Sequence, residues 1–313
     1  MKKRKKSIAN TLLTIILVLV FLVGLSLLLY PTVSDYWNSL HQSRAITGYT
    51  EQVADLDTET YDRLWAEAVA YNETLLNKPD RFQMTDEELE EYDQLLRVSG
   101  SDVIGYIEID KIDCYLPIYH GTSESVLQVG VGHLEGSSLP VGGESTHCVI
   151  SGHRGLPSAR LFTDLDRLEE GDTFRLYVLD EVLTYEVDQI LVVEPTEVDA
   201  LAITEGEDYC TLVTCTPYGI NTHRLLVRGH RIENVEEPAE VQVEAETVET
   251  RRALPLPALL ILAAAAILLA AALLYVTFGR NRSRRDGIPG KKRGKKRDSK
   301  KRTPKGGIED EDI

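Results

Sequence analysis

Hydrophobic and polar positions divide the chain into stretches of different texture. Residues 8–29 form an almost uninterrupted apolar run behind a basic block at 2–6. At ~1.5 Å per residue a helix of that length crosses a hydrocarbon core of ~30 Å. A second apolar run, 254–278, is rich in Ala and Leu. Between them, residues 34–76 read as helical, with Tyr61, Leu64, Trp65, Ala68, Asn72 and Leu75 at a 3.6 period after the acidic start at 57–59. The sequence 77–82 breaks that helix, and Thr85-x-x-Glu88 is a capping box that opens a second short helix through Leu89, Tyr92, Leu95 and Leu96. Beyond Ser99-Gly100-Ser101 the pattern changes to short β-rich runs at 104–109, 114–119, 146–151, 173–179, 182–193, 209–214 and 225–232, separated by Gly, Pro and Asp turns. Many short strands of this kind predict a closed or nearly closed β-barrel of about 135 residues, large enough for its own core.

Charge orients these pieces. The second apolar run is followed by Arg280, Arg282, Arg284, Arg285 and a Lys/Arg-rich tail, so both ends of the chain are basic and expected in the cytoplasm. A cleaved signal peptide is the competing reading of the first run. It is too long for one, however, and Leu28-Leu29-Tyr30-Pro31 lacks a small-x-small cleavage site. The predicted organisation is a cytoplasmic basic N-terminus (1–7), a transmembrane helix (8–29), an extracellular helical region (30–100) and a β-barrel domain (101–233). An acidic linker (234–252), a second transmembrane helix (253–278) and a basic cytoplasmic tail (279–313) complete it. The net charge of −16 conceals a sharp division, because 44 of the 50 acidic but only 15 of the 34 basic residues lie in the outer segment, leaving it at about −29. That balance argues against nucleic-acid binding.

All four cysteines, Cys114, Cys148, Cys210 and Cys215, fall in the outer segment. Three sit inside apolar strand-like runs and are expected to be buried small hydrophobes, with a Cys148–Cys210 disulfide as the alternative. The fourth differs. Thr211-Leu212-Val213-Thr214-Cys215 reads as a strand ending on a thiol, followed by a Pro/Gly loop and a return strand that opens on Arg224. The two side chains then stand at facing strand mouths, a nucleophile beside a permanent cation able to hold a carbonyl oxygen or its oxyanion. This pattern predicts cysteine-based acyl transfer, which also needs a proton acceptor and donor. His153 in Ser151-Gly152-His153-Arg154-Gly155 and His133 in Gly132-His133-Leu134-Glu135-Gly136 are equally placed for it, each flanked by glycines at a strand end. Neither Cys-x-x-Cys nor His-x-x-x-His occurs, so neither a metal nor a cofactor is expected.

The Thr-Leu-Val-Thr-Cys block at 211–215 resembles the signature of sortases, the membrane-anchored cysteine transpeptidases of Gram-positive bacteria. The blocks at 116–122, 130–136, 151–159 and 214–225 are similar to the class C, pilin-polymerising group. The resemblance covers residues 104–231 and implies an eight-stranded barrel with short helices, Cys215 as nucleophile, His153 as acid/base and Arg224 as oxyanion or carbonyl holder. His133 then falls back to a structural role. The implied substrates are secreted pilin subunits carrying an LPXTG-like sorting signal, cut between Thr and Gly through a thioacyl-enzyme and joined to a lysine amine of the next subunit.

The same resemblance changes the reading of the helical region, which on its own pattern is a spacer lifting a domain off the membrane. Class C sortases resemble one another in a lid bearing Asp-Pro-aromatic. Here Asp80-Arg81-Phe82 is the nearest match, with arginine in the proline position and Pro79 one place earlier. By resemblance, Asp80 is expected to pair with Arg224 and Phe82 to cover Cys215. Two other readings compete with pilus assembly, a housekeeping sortase that attaches proteins to the cell wall and a membrane-tethered binding domain without catalysis. Leu254-Pro255-Leu256-Pro257-Ala258 also invites comparison with a sortase substrate, but it lacks the Thr-Gly that would be cut.

Overall fold

The computed structural model describes residues 2–234, 261 and 264–266, with side chains from residue 12 onward. The predicted linker, second transmembrane helix and basic tail lie outside the described residues, apart from those four helical positions. The chain divides into two compact units, Met1–Val20 with Leu262–Ile313, and Phe21–Ile261. In the first, the described residues are helical.

Helix α1, Lys2–Ala54, is longer than the pattern predicts and runs through Pro31. It contains the one helix segment among the described residues that is long and apolar enough to cross a membrane. Within it the side chains of Leu13, Leu17, Val20 and Leu27 are exposed. Helix α2, Thr58–Leu75, is capped by Asp57, whose carboxylate accepts the Thr60 N–H at 2.8 Å. Helix α3, Asp86–Tyr92, has the predicted capping box, with Thr85 Oγ1 accepting from the Glu88 N–H and Glu88 accepting from the Thr85 N–H.

Eight strands close into a barrel: β1 Val103–Ile109, β2 Cys114–His120, β3 Val131–His133, β4 Thr146–Ser151, β5 Thr173–Val178, β6 Glu181–Val193, β7 Asp208–Thr216 and β8 His223–Ile232. Their order around the barrel is β1-β2-β3-β4-β7-β8-β6-β5. The β2–β3 and β4–β7 pairs are parallel and the rest antiparallel. Seven strands coincide with the β-rich runs. β3 has only three residues and sits among glycines, too short for a period-2 signal. A four-residue helix, α4 (Glu124–Leu127), lies between β2 and β3.

The helical region is not a spacer. Leu64 and Ala68 of α2 and Tyr92 of α3 are buried in the same apolar core as Ile107, Ile118 and Leu176 of the barrel. Tyr49 of α1 is also buried there, its hydroxyl donating to the Ile104 carbonyl at 3.1 Å and accepting from the Leu179 N–H at 2.7 Å. Asn72, polar yet on the apolar face of α2, pins the loop before β4 by accepting the Leu139 N–H at 2.7 Å and donating to the Leu139 carbonyl at 3.1 Å. Burial of that face against the barrel, rather than helix propensity, holds the region in place.

Candidate active site

Side chains alternate across β7. Cys210 and Leu212 enter the barrel core, whereas Val213 joins a smaller apolar cluster on the outer face with Val149, Leu201 and Leu226. Cys215 follows Val213 at the period-2 spacing and so emerges on that outer face, at the end of the strand. Of the four cysteines it alone is partly exposed. Cys114, Cys148 and Cys210 are buried free thiols. Cys148 faces Cys210 in the β4–β7 register without a disulfide.

Arg224 is the direct register partner of Cys215 across β7 and β8. Residues opposed in an antiparallel pair share a face, so thiol and guanidinium project to the same side. The Arg224 guanidinium donates to the carbonyls of His223, at 3.1 Å, and Asn221, at 3.4 Å. Those bonds fold it back over its own turn.

His153 arrives from the other neighbour of β7. The parallel register sets Ser151 beside Val213, and its continuation by two residues brings His153 level with Cys215. Hydrogen bonds hold the loop there. The Gly152 N–H donates to the Val213 carbonyl at 3.0 Å, the Thr214 hydroxyl donates to the Gly152 carbonyl at 2.7 Å, and Arg154 donates to the Thr216 hydroxyl at 3.3 Å. Gly152 is needed for contact rather than flexibility, since a Cβ there would lie 2.6 Å from the Phe162 ring. The other candidate, His133, is fully buried inside the barrel. Its Nδ1 meets the Tyr92 hydroxyl at 2.7 Å and its Nε2 meets the Ser138 carbonyl at 2.8 Å, so both nitrogens are engaged in structure.

Beside Arg224 opens a cavity of about 530 Å³ whose walls include Phe82, Leu134, Val149, Val193, Val213 and Leu226. Phe82 and Arg224 therefore share one cavity, which Cys215 does not line. Asp80 is exposed, and among the described residues it forms no ion pair with Arg224. The buried member of the triplet is Arg81, which donates to the carbonyls of Gly136 and Leu201 and lies 4.5 Å over the Phe82 ring. Burial pushes the Arg81 pKa down from its ordinary value. The anchoring role of Arg81 is not legible in the sequence, because an arginine in a polar loop normally reads as solvated. Its only signal is that it stands in a position where the resembling family has proline.

A sortase-domain family model matches residues 107–232. The chain is similar to the structure of sortase C1 from Streptococcus agalactiae, with 52% identity, 61% of this chain and 100% of that one covered, and a TM-score of 0.60. It is also similar to a sortase C of Streptococcus pneumoniae described in terms of pilin substrate specificity, at 52% identity, covering 60% of this chain and 96% of that one with a TM-score of 0.55. Among curated proteins, sortase D of Bacillus subtilis is 32% identical over 41% of this chain, and sortase A of Streptococcus agalactiae is 34% identical over 36% of it. Those alignments span 63% and 47% of the two curated proteins. The chain belongs to the sortase family of cysteine transpeptidases. Within that family its structural neighbours are the class C enzymes, in keeping with the resemblance of its sequence blocks.

Proposed function

We propose that this protein is a pilus-assembling sortase, with Cys215 as nucleophile, His153 as general acid and base, and Arg224 as the holder of the developing oxyanion. The observation that carries the reading is the placement of Cys215 between Arg224, its register partner on β8, and His153, level with it beyond β4. The Cys215 sulfur attacks the threonine carbonyl of an LPXTG-like signal. Arg224 takes the charge on the tetrahedral oxygen, and His153 delivers a proton to the departing glycine amine. A lysine amine of the next pilin subunit then attacks the thioester, His153 accepts its proton, the sulfur leaves, and an isopeptide bond remains.

The walls of the cavity beside Arg224 suit the apolar residues of a sorting signal. The exposed apolar side chains of α1 support a membrane anchor. The two-pass topology, with both termini cytoplasmic and the barrel outside, rests on the basic flanks of the two apolar runs. Asp80 and Phe82 are assigned to a lid. The presence of Phe82 in the cavity supports this, and Arg81 serves as its anchor. The test is to express the chain with neighbouring LPXTG-bearing pilins in cells and look for high-molecular-weight ladders and lysine isopeptide linkages by mass spectrometry. Cys215→Ala should abolish both. Ladders that persist without the thiol would end the proposal.

A further inference from the structure

The imidazole assigned to proton transfer has one nitrogen whose surroundings single out a further residue. His153 Nε2 is shut off from solvent and, among the described residues, has no hydrogen-bond partner within reach. Its nearest opposite charge is Glu124 Oε2, at 3.6 Å. Glu124 opens α4, which packs against β3, and Val126 of that helix presses on Gly132, where a Cβ would come within 3.2 Å of it. The Glu124 side chain is largely exposed, and the Gln128 amide donates to its other oxygen, Oε1, at 2.7 Å. The Gln128 bond first and the neighbouring imidazole second hold the Glu124 carboxyl below the usual carboxylate range. The neighbouring Arg154 directs its terminal guanidinium nitrogens to Asp166 and Thr216.

We propose that Glu124 is a positioning residue for His153, its Oε2 accepting the Nε2–H and so fixing the tautomer in which Nδ1 carries the free lone pair. A ring nitrogen whose proton is held by a carboxylate is not the one that exchanges protons with a thiol and an amine. If the proton is parked on Nε2, Nδ1 is left to receive the Cys215 proton and return it to the leaving amine. The gap of 3.6 Å is slightly beyond a hydrogen bond, as hydrogen bonds of catalytic groups often are before substrate closes the site. The inference rests on the assignment of His153 made above.

The test uses the full chain in lipid nanodiscs, with histidines labelled with nitrogen-15 and the His153 signals assigned by their loss in His153→Gln. The wild type should show a single Nε2–H tautomer for His153. Glu124→Ala should give a mixture of tautomers, and its kcat on a Leu-Pro-x-Thr-Gly peptide should fall about tenfold with KM little changed. Glu124→Gln keeps an oxygen at the same reach and should retain the tautomer and most of the turnover. A wild-type tautomer in Glu124→Ala, or an undiminished kcat beside an active wild type, overturns the proposal. A wild type that cleaves nothing would count against the function assigned to the site, while the tautomer spectra would still decide the role of Glu124.

Discussion

The backbone carbonyl of Arg81 lies where a side chain at residue 136 would have to stand, for a Cβ on Gly136 would be 2.0 Å from that oxygen. Gly136 also has a φ of +79°, which L side chains rarely adopt. This close approach, with the Arg81 bonds to Gly136 and Leu201, presses segment 80–82 onto the loops that flank the cavity.

If that segment is a lid, Arg81 rather than Asp80 is its fastening. Arg81→Ala should speed alkylation of Cys215 and raise hydrogen exchange across 79–84, with Phe82→Ala next and Asp80→Ala least. Labelling rates unchanged in all three variants would remove the lid from the account.

Arg224→Lys keeps the charge but not the planar, forked donor geometry. We expect kcat to drop by about 10²–10³, the usual effect of losing an oxyanion donor, with the melting temperature little altered because, among the described residues, Arg224 bonds only its own turn. Turnover within about threefold of wild type would exclude the oxyanion role.

Asn72→Ala would leave the Leu139 N–H without its partner, while the Leu139 carbonyl keeps the Val141 N–H at 2.8 Å. An unsatisfied buried group costs about 1–3 kcal/mol, so the barrel domain should lose about that much in denaturant melts of the full chain in detergent. A loss below about 1 kcal/mol would show that the loop re-satisfies itself.

Buried His147 and half-buried His120 set an acid limit. Burial pushes the pKa of His147 and of His120 down to about 4 from the ordinary 6.5. Below pH 6.5 the unfolded chain takes up protons that the folded one refuses until about pH 4. Stability is thus fully present above 6.5 and declines as pH falls through that window. For His147, nearly inaccessible and bonded to Ala202 and Thr211, the decline is on the order of 2–3 kcal/mol. Melting temperatures measured from pH 7.5 to 4.5 should fall, and His147→Gln should flatten that slope. An identical slope in wild type and variant would rule His147 out as its source.

Much of this architecture was legible without coordinates, where local physics is strong. The period of α2, the capping box of α3 and seven of the eight strands are signals carried by adjacent residues. The same holds for the strand-loop-strand unit that opposes Cys215 to Arg224, since a short connection between two β-runs leaves little freedom of register. Tertiary structure decided what depends on residues far apart. The two glycine-flanked histidines differ in what surrounds them: both nitrogens of buried His133 are bonded, while His153 follows β4, whose parallel pairing with β7 joins segments some sixty residues apart. The helical region became part of the core because its apolar face found the barrel. Arg81 and Glu124 carry no pattern of their own. A guanidinium in a loop and a glutamate on a four-residue helix look like ordinary solvated charges until folding brings Gly136 and Leu201 beside the first and His153 beside the second, and for Arg81 desolvation then gives those few contacts their weight.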